Sequence, residues 1–434
     1  MSEGANKRLK RVTVDLVDCE GNVGKRGLKF ADQRLAPPDW SQLPYEILLQ
    51  VFRYLNDNSD KYHAALTCKS WLRPLSEPSL WQSGDFVFNA KSRTRAVRFV
   101  RIAGQSLRHF RADYPEPKGL IYCNEEVYQF LANLINSRNQ RLVTFKMTNL
   151  QYLDNCNVSD VKSTSIICNL LTNLLGQQHQ LRVLDLSNSP MSFKQGLELL
   201  KAVTTNCSST VHTLVLNKFF QSKLTCPTAL SKFVNSVCSF KNLSDLELSY
   251  DHLCDDLLLN LAKNSPNLKV ITLRADGDSS ADKITCAAWQ QLTAACPELQ
   301  AVVSINKPKQ AFFDQGPSEI LTLSMPLYKV SWDAGLIAIQ NIEQFFQRVS
   351  RDFQNTLHHI ELKTGVRLDK ICFELLFKSF QTCRHLDSVS VDVTCDRRSD
   401  QDDYMFVITD VMTRCPVSYD VILNGHKVNG SPSV

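Results

Sequence analysis

The chain has 434 residues, 43% hydrophobic and 21% charged, which excludes a low-complexity or disordered polymer and leaves room for two or three domains. Its formal net charge of +5 is small for this length and falls short of the basic profile of a dedicated nucleic-acid binder, so no nucleic-acid partner is expected. No run of about 18 apolar residues is available to cross a bilayer as a helix, and no membrane partner is expected.

Residues 1–39 read as a disordered basic arm carrying Lys7-Arg8-Leu9-Lys10-Arg11 and Lys25-Arg26. The basic cluster fits a nuclear import signal or a solvated tail, and both readings stay open. No apolar stretch in this arm has the form of a signal peptide, so the expected location is cytoplasmic and/or nuclear. Gly21, Gly24 and Gly27 do not have the spacing of a phosphate-binding loop.

From Trp40 to about residue 82 the pattern changes. Leu43-Pro44 opens a helix, because proline suits a first helical turn, and Glu46 places a favourable charge there. Ile47, Leu48, Val51, Phe52 and Leu55 follow as a broad apolar stripe on a 3.6-residue period. A turn-rich break over 56–60 ends that helix, and Ala64, Ala65, Leu66 and Cys68 mark the apolar side of a second, short one. A module of about 40 residues can bury little of its own surface, so a partner is expected to cover the rest.

The run Leu43-Pro44, Ile47-Leu48, Val51-Phe52, Leu55, then Cys68-Lys69-x-Trp71 and a closing Leu80-Trp81, resembles the F-box. Lys61-Tyr62 departs from the pattern, where an aliphatic residue is usual. The resemblance implies a three-helix module over 40–82 that binds the Skp adaptor and, through it, a cullin scaffold. Leu43, Pro44, Ile47, Leu48, Val51, Phe52, Leu55, Trp71, Leu80 and Trp81 would be its adaptor-binding residues.

After Trp81 one motif recurs, an apolar residue followed at +3 and +5 by two more. It appears as Leu142-Phe145-Met147, Leu181-Leu184-Leu186, Val211-Leu214-Leu216, Leu243-Leu246-Leu248, Leu268-Ile271-Leu273, Leu357-Ile360-Leu362 and Leu386-Val389-Val391. Leu107-Phe110-Ala112 is a weaker copy. Leu299-Val302-Ser304 has a polar third position, with Val303 and Ile305 offering another register, and Ile320–Leu323 reads as a short strand. Helical patterns lie between, such as 127–135, 166–175, 197–203, 230–237, 257–262 and 337–349. This alternation resembles the leucine-rich repeat, with separations of about 25 to 39 residues against the usual 20 to 29. The expected fold over 83–434 is therefore an α/β leucine-rich-repeat-like solenoid, parallel strands on the concave side and helices on the convex side, preceded by the F-box.

Catalytic and metal signatures are missing from the sequence. No two cysteines are separated by two residues, no Gly-x-Ser-x-Gly or His-Glu-x-x-His occurs, and neither a metal nor a cofactor is expected. His358 and His359 are adjacent in a strand motif, where neighbouring side chains point to opposite faces. The fifteen cysteines are expected to be reduced, with Cys207, Cys296 and Cys383 buried at helix ends. Taken with the resemblance, the chain is expected to be a non-catalytic substrate receptor of a Skp-cullin-F-box ubiquitin ligase, with a protein-interaction scaffold that delivers no ubiquitin as the alternative. Alternation along the strands projects the third, fifth and seventh motif positions away from the core, which makes Asp185, Asp245, Glu247 and Arg274 candidate contacts to a protein substrate.

Overall fold

The structure, a computed structural model, describes residues 40–55, 58–88, 93–114, 124–150, 161–224, 226–276, 284–306, 320–337, 339–367, 370–380, 382–394, 418–423 and 426–430. The basic arm and its Lys7–Arg11 cluster lie outside the described residues. The chain divides into two compact units, Met1–Pro74 and Leu75–Val434.

In the first unit a 3-10 turn, Trp40–Gln42, leads into α1 (Tyr45–Tyr54), α2 (Asn58–Ala65) and α3 (Lys69–Leu72). Pro44 is the N-cap of α1, and its carbonyl accepts from Leu48 N at 3.0 Å. The unit closes around one aromatic contact. The rings of Phe52 and Trp71 are 5.9 Å apart, and the Trp71 indole Nε1 donates to the Trp40 carbonyl at 2.9 Å. A half-buried aromatic with a polar tip thus ties the third helix to the opening turn.

The second unit alternates strand and helix. Its strands are β1 (Ser83–Val87), β2 (His109–Asp113), β3 (Thr144–Thr148), β4 (Val183–Asp185), β5 (Thr213–Leu216), β6 (Asp245–Ser249), β7 (Val270–Asp276), β8 (Gln300–Asn306), β9 (Leu327–Gly335), β10 (His359–Arg367), β11 (Ser388–Thr394), β12 (Ser418–Leu423) and β13 (His426–Gly430). Among the described residues they form one sheet in strict sequence order, parallel throughout except for the antiparallel β12–β13 pair. The intervening helices are α4 (Arg93–Ala103), α5 (Asn124–Asn136), α6 (Val161–Gly176), α7 (Phe193–Cys207), α8 (Pro227–Val237), α9 (Asp255–Asn264), α10 (Cys286–Ala295), α11 (Ile339–Asp352) and α12 (Lys370–Phe380). Helices α4 to α10 each pack on the next, as do α11 and α12, so a helical layer covers the sheet. This is the leucine-rich-repeat-like α/β solenoid that the recurring motif implies.

The motif residues are the core. Phe145, Met147, Leu184, Leu186, Leu214, Leu216, Leu248 and Leu273 are fully buried, and Phe110 and Ala112 of the weaker copy are as well. Two expectations change. In β8 the residues facing the helices are Ala301, Val303 and Ile305, since β7 pairs Ile271 with Ala301 and Leu273 with Val303. The register through Val303 and Ile305 therefore holds, and Val302 is only half-buried. Residues 320–323 form no strand, and Leu323 is 64% exposed. The strand is β9, whose Leu327, Val330 and Trp332 carry the same +3 and +5 spacing into the core.

Side-chain amides lock both ends of the strands. Beyond the strand ends, Asn149 and Asn188 take left-handed φ values of 66° and 53°, the conformation asparagine tolerates best after glycine. Asn188 Nδ2 donates to Asn149 Oδ1 at 2.8 Å, and Asn149 Nδ2 donates to Asp113 Oδ1 at 2.7 Å. At the starting edge, buried Asn139 donates to the carbonyls of Gly104 and Leu107 at 2.6 and 2.7 Å and accepts from Arg141 N at 2.8 Å. Gln178, fully buried one repeat on, donates to the carbonyls of Asn139 and Leu174 and accepts from Leu142 N.

Candidate functional site

Helix α1 has two apolar faces. Leu48 and Phe52, at i and i+4, are 2% and 0% exposed and fill the small core of the first unit. Pro44 is exposed, Ile47 is 42% exposed, and Leu43, Val51 and Leu55 are half-buried. Pro44 and Ile47, at i and i+3, stand on a second face that the unit leaves exposed, with half-buried Val51 beside them at i+7. In the same unit Trp40, Tyr45, Tyr54, Tyr62, Leu66 and Leu72 are also exposed, Tyr54 to 85%. Isolated apolar residues at a surface are ordinary, but their concentration in so short a unit makes this the candidate surface for a partner. Periodicity could not separate the two faces, because it scores core and contact residues alike. Tyr45, Tyr54, Tyr62 and Leu72 are exposed residues outside the stripe read from the sequence, and Leu66, expected on the apolar side of α2, is exposed as well.

In the second unit, the sheet face away from the helices carries half-exposed Val183, Asp185, Thr213, Val215, Asp245, Glu247, Val270, Thr272 and Arg274, as strand alternation requires. Their charges are locally satisfied. Arg274 Nε pairs with Glu247 from the neighbouring strand. Asp185 Oδ1 accepts from Ser187 N and Oγ at 3.1 and 2.8 Å, and Asp245 Oδ2 accepts from Ser244 Oγ at 2.5 Å. Asn217 and Ser249, in the same alternation, are buried, and Ser249 Oγ donates to Asn217 Oδ1 and accepts from Lys218 N, bracing the turn after β5 from the neighbouring strand.

His358 and His359 do not converge. His358 Nδ1 bonds Asp387 Oδ2 at 2.8 Å, whereas His359 bonds Ser388 Oγ through Nδ1 at 2.7 Å and the Tyr328 hydroxyl through Nε2 at 3.0 Å. Burial lowers the His359 pKa, with neighbouring charges adding smaller and opposing effects. No group of three or more His, Cys, Asp or Glu is placed to hold a metal among the described residues.

Residues 40–86 match the F-box-like family. This chain carries an F-box followed by a leucine-rich-repeat region. The chain is similar to F-box/LRR-repeat protein 21 of Ovis aries, with 24% identity over 293 residues, 64% of this chain and 62% of that protein. The Bos taurus protein of that name is also 24% identical over 293 residues, and that of Mus musculus is 22% identical over 292. The match thus spans 62% to 63% of the length of these curated relatives.

The F-box match runs beyond the first unit, and its final stretch, from Leu75, is built into the second. Leu80 is 4% exposed there, and the Trp81 indole Nε1 donates to the Leu75 carbonyl at 2.8 Å while its ring meets Phe99 edge-on at 5.4 Å. Seven of the ten motif residues of the F-box divide by role, and Leu43, Val51 and Leu55 are half-buried between them. Leu48, Phe52 and Leu80 pack internally, Trp71 and Trp81 tie segments together, and Pro44 and Ile47 stand outward.

Proposed function

We propose that this protein is the substrate-recognition subunit of a Skp-cullin-F-box ubiquitin ligase, docking the Skp adaptor on its F-box and presenting a protein substrate on the repeat region. The observation that carries the reading is the second apolar face of α1, where Pro44 and Ile47 remain exposed although the helix has already filled its own core with Leu48 and Phe52. The F-box match supplies the class of partner that such a face meets. The chain binds, and the ubiquitin-transfer chemistry belongs to the proteins it recruits. Asp185, Asp245, Glu247 and Arg274 are proposed as substrate contacts on the repeat sheet.

The test is recovery of the Skp adaptor and a cullin with full-length protein from cells under proteasome inhibition. Ile47→Arg should lower adaptor recovery by at least about tenfold, since it forfeits a buried aliphatic contact of roughly 1.5–3 kcal/mol and puts a charge in its place. Its side chain is exposed, so the thermal midpoint should stay near that of the parent. Adaptor recovery unchanged by Ile47→Arg would overturn the docking assignment. Adaptor recovery without a cullin would overturn the ligase role and favour a scaffold.

A further inference from the structure

The segments that join helix ends to strand starts lie along one edge of the sheet, and their charges are one-sided. From Gly104 to Ser244, the segments 104–108, 137–143, 177–182, 208–212 and 238–244 contain no acidic residue. They present Arg108, Arg138, Arg141, Arg182 and Lys241, all exposed and none paired with a described carboxylate. The pattern ends at Lys269, which pairs with Glu298 at 3.1 Å.

These cations stand on a rigid base. The backbone runs as a ladder, Val143 N to Arg108 O, Arg182 N to Val143 O, His212 N to Arg182 O and Ser244 N to His212 O, at 2.7, 2.8, 2.8 and 2.8 Å. Arg108 and Arg182 are therefore two strand spacings apart, about 10 Å. Arg138 and Arg141 flank the buried amide of Asn139, which fixes their loop on the one before it. Helix C-termini open on this edge and carry roughly half a negative charge each, which favours a cation apiece. Three arginines, at 108, 138 and 141, follow the ends of just two helices, α4 and α5, so the edge keeps a positive excess.

We propose that this edge, over the repeats from β2 to β6, is a docking surface for an extended acidic segment of a protein partner. An extended peptide advances about 3.3 Å per residue, so a short acidic run reaches across the roughly 10 Å between Arg108 and Arg182 and can meet successive cations along the ladder. Single-stranded nucleic acid needs aromatic platforms, and lipid headgroup surfaces favour interfacial aromatics; no described aromatic side chain of the second unit is among the exposed large hydrophobics. This inference is independent of the F-box, because every residue in it belongs to the repeat region.

The experiment measures fluorescence anisotropy of a labelled decapeptide of alternating glutamate and serine with the full-length chain across a salt series. The variant Arg108→Gln/Arg141→Gln/Arg182→Gln should bind about tenfold more weakly, the sum of three exposed ion contacts, and with a flatter salt dependence. A charge-matched control, Arg95→Gln/Arg98→Gln/Lys201→Gln, removes exposed helix cations and should bind like the parent. Arg182→Glu alone should weaken binding in the same direction if the triple variant is poorly folded. Equal weakening by edge and control variants, or no binding by the parent at low salt, would overturn the proposal. Tighter binding to oligothymidylate, or to phosphatidylserine vesicles, than to the peptide would overturn the assignment to an acidic protein.

Discussion

His252 is the buried titratable group with the clearest consequence. It is 4% exposed, its ring meets Phe220 edge-on at 5.4 Å, and burial, aided by Lys223, pushes its pKa down to about 4 from an ordinary 6.5. The folded form therefore binds fewer protons than the unfolded one between these values, so stability is full above pH 6.5 and is lost as the pH falls toward 4. The loss should reach roughly 3 kcal/mol, and denaturant midpoints at pH 7 and pH 4.5 would measure it. His252→Leu should flatten that dependence. The cysteines differ as sharply, although every described one is a free thiol. Thr228 Oγ1, 3.0 Å from exposed Cys226 Sγ, heads the hydrogen bonds that lower its pKa, whereas burial pushes Cys238 up to about 12. Time-resolved alkylation at neutral pH should modify Cys226 well before Cys238, because the thiolate is the reacting form. The reverse order would contradict the burial described for the two sites.

At the level of single elements, the edge amides are the joints of the solenoid. Asn139→Leu removes three hydrogen bonds inside a buried turn and should cost about 3 kcal/mol. Asn206→Ala, which removes one exposed bond to the Gly176 carbonyl, should cost under about 1 kcal/mol by the same measurement. The strands themselves were legible in the sequence because alternation is local: Leu184 and Leu186 must face the helices if Asp185 does not. Strand β9 obeys the same spacing, so the pattern could have found it, but the apolar run at 320–323 competes for the assignment and only pairing with β8 decides between them. The β8 register was ambiguous for a related reason, since Val302, Val303 and Ile305 are all apolar and the partner strand selects two of them. Of the F-box, the motif was readable and the division of labour was not. Which side of α1 meets its own core depends on Trp71, nineteen positions past Phe52 and on another helix. The Arg274–Glu247 pairing was equally hidden, being a contact between strands.

For the molecule as a whole, stability should be distributed along the repeats, since each contacts chiefly its neighbours. Val421→Asp places a charge at a fully buried position in β12 and should fray β11 to β13 while β3 to β7 keep their protection. Hydrogen exchange read strand by strand would show it, and uniform loss of protection would mean the solenoid unfolds as one cooperative block. The strict sequence order of the strands also bears on how the chain is made. Parallel sheets are usually slow to form because their strands come from distant parts of a chain. Here each strand pairs with the next to be synthesised, as Leu214 does with Leu246 and Leu246 with Ile271. A ribosome adding about 5–20 residues per second delivers each new repeat within a few seconds of the one it must pack against. The solenoid can therefore be wound from its F-box end during translation, with only the newest apolar face waiting for cover.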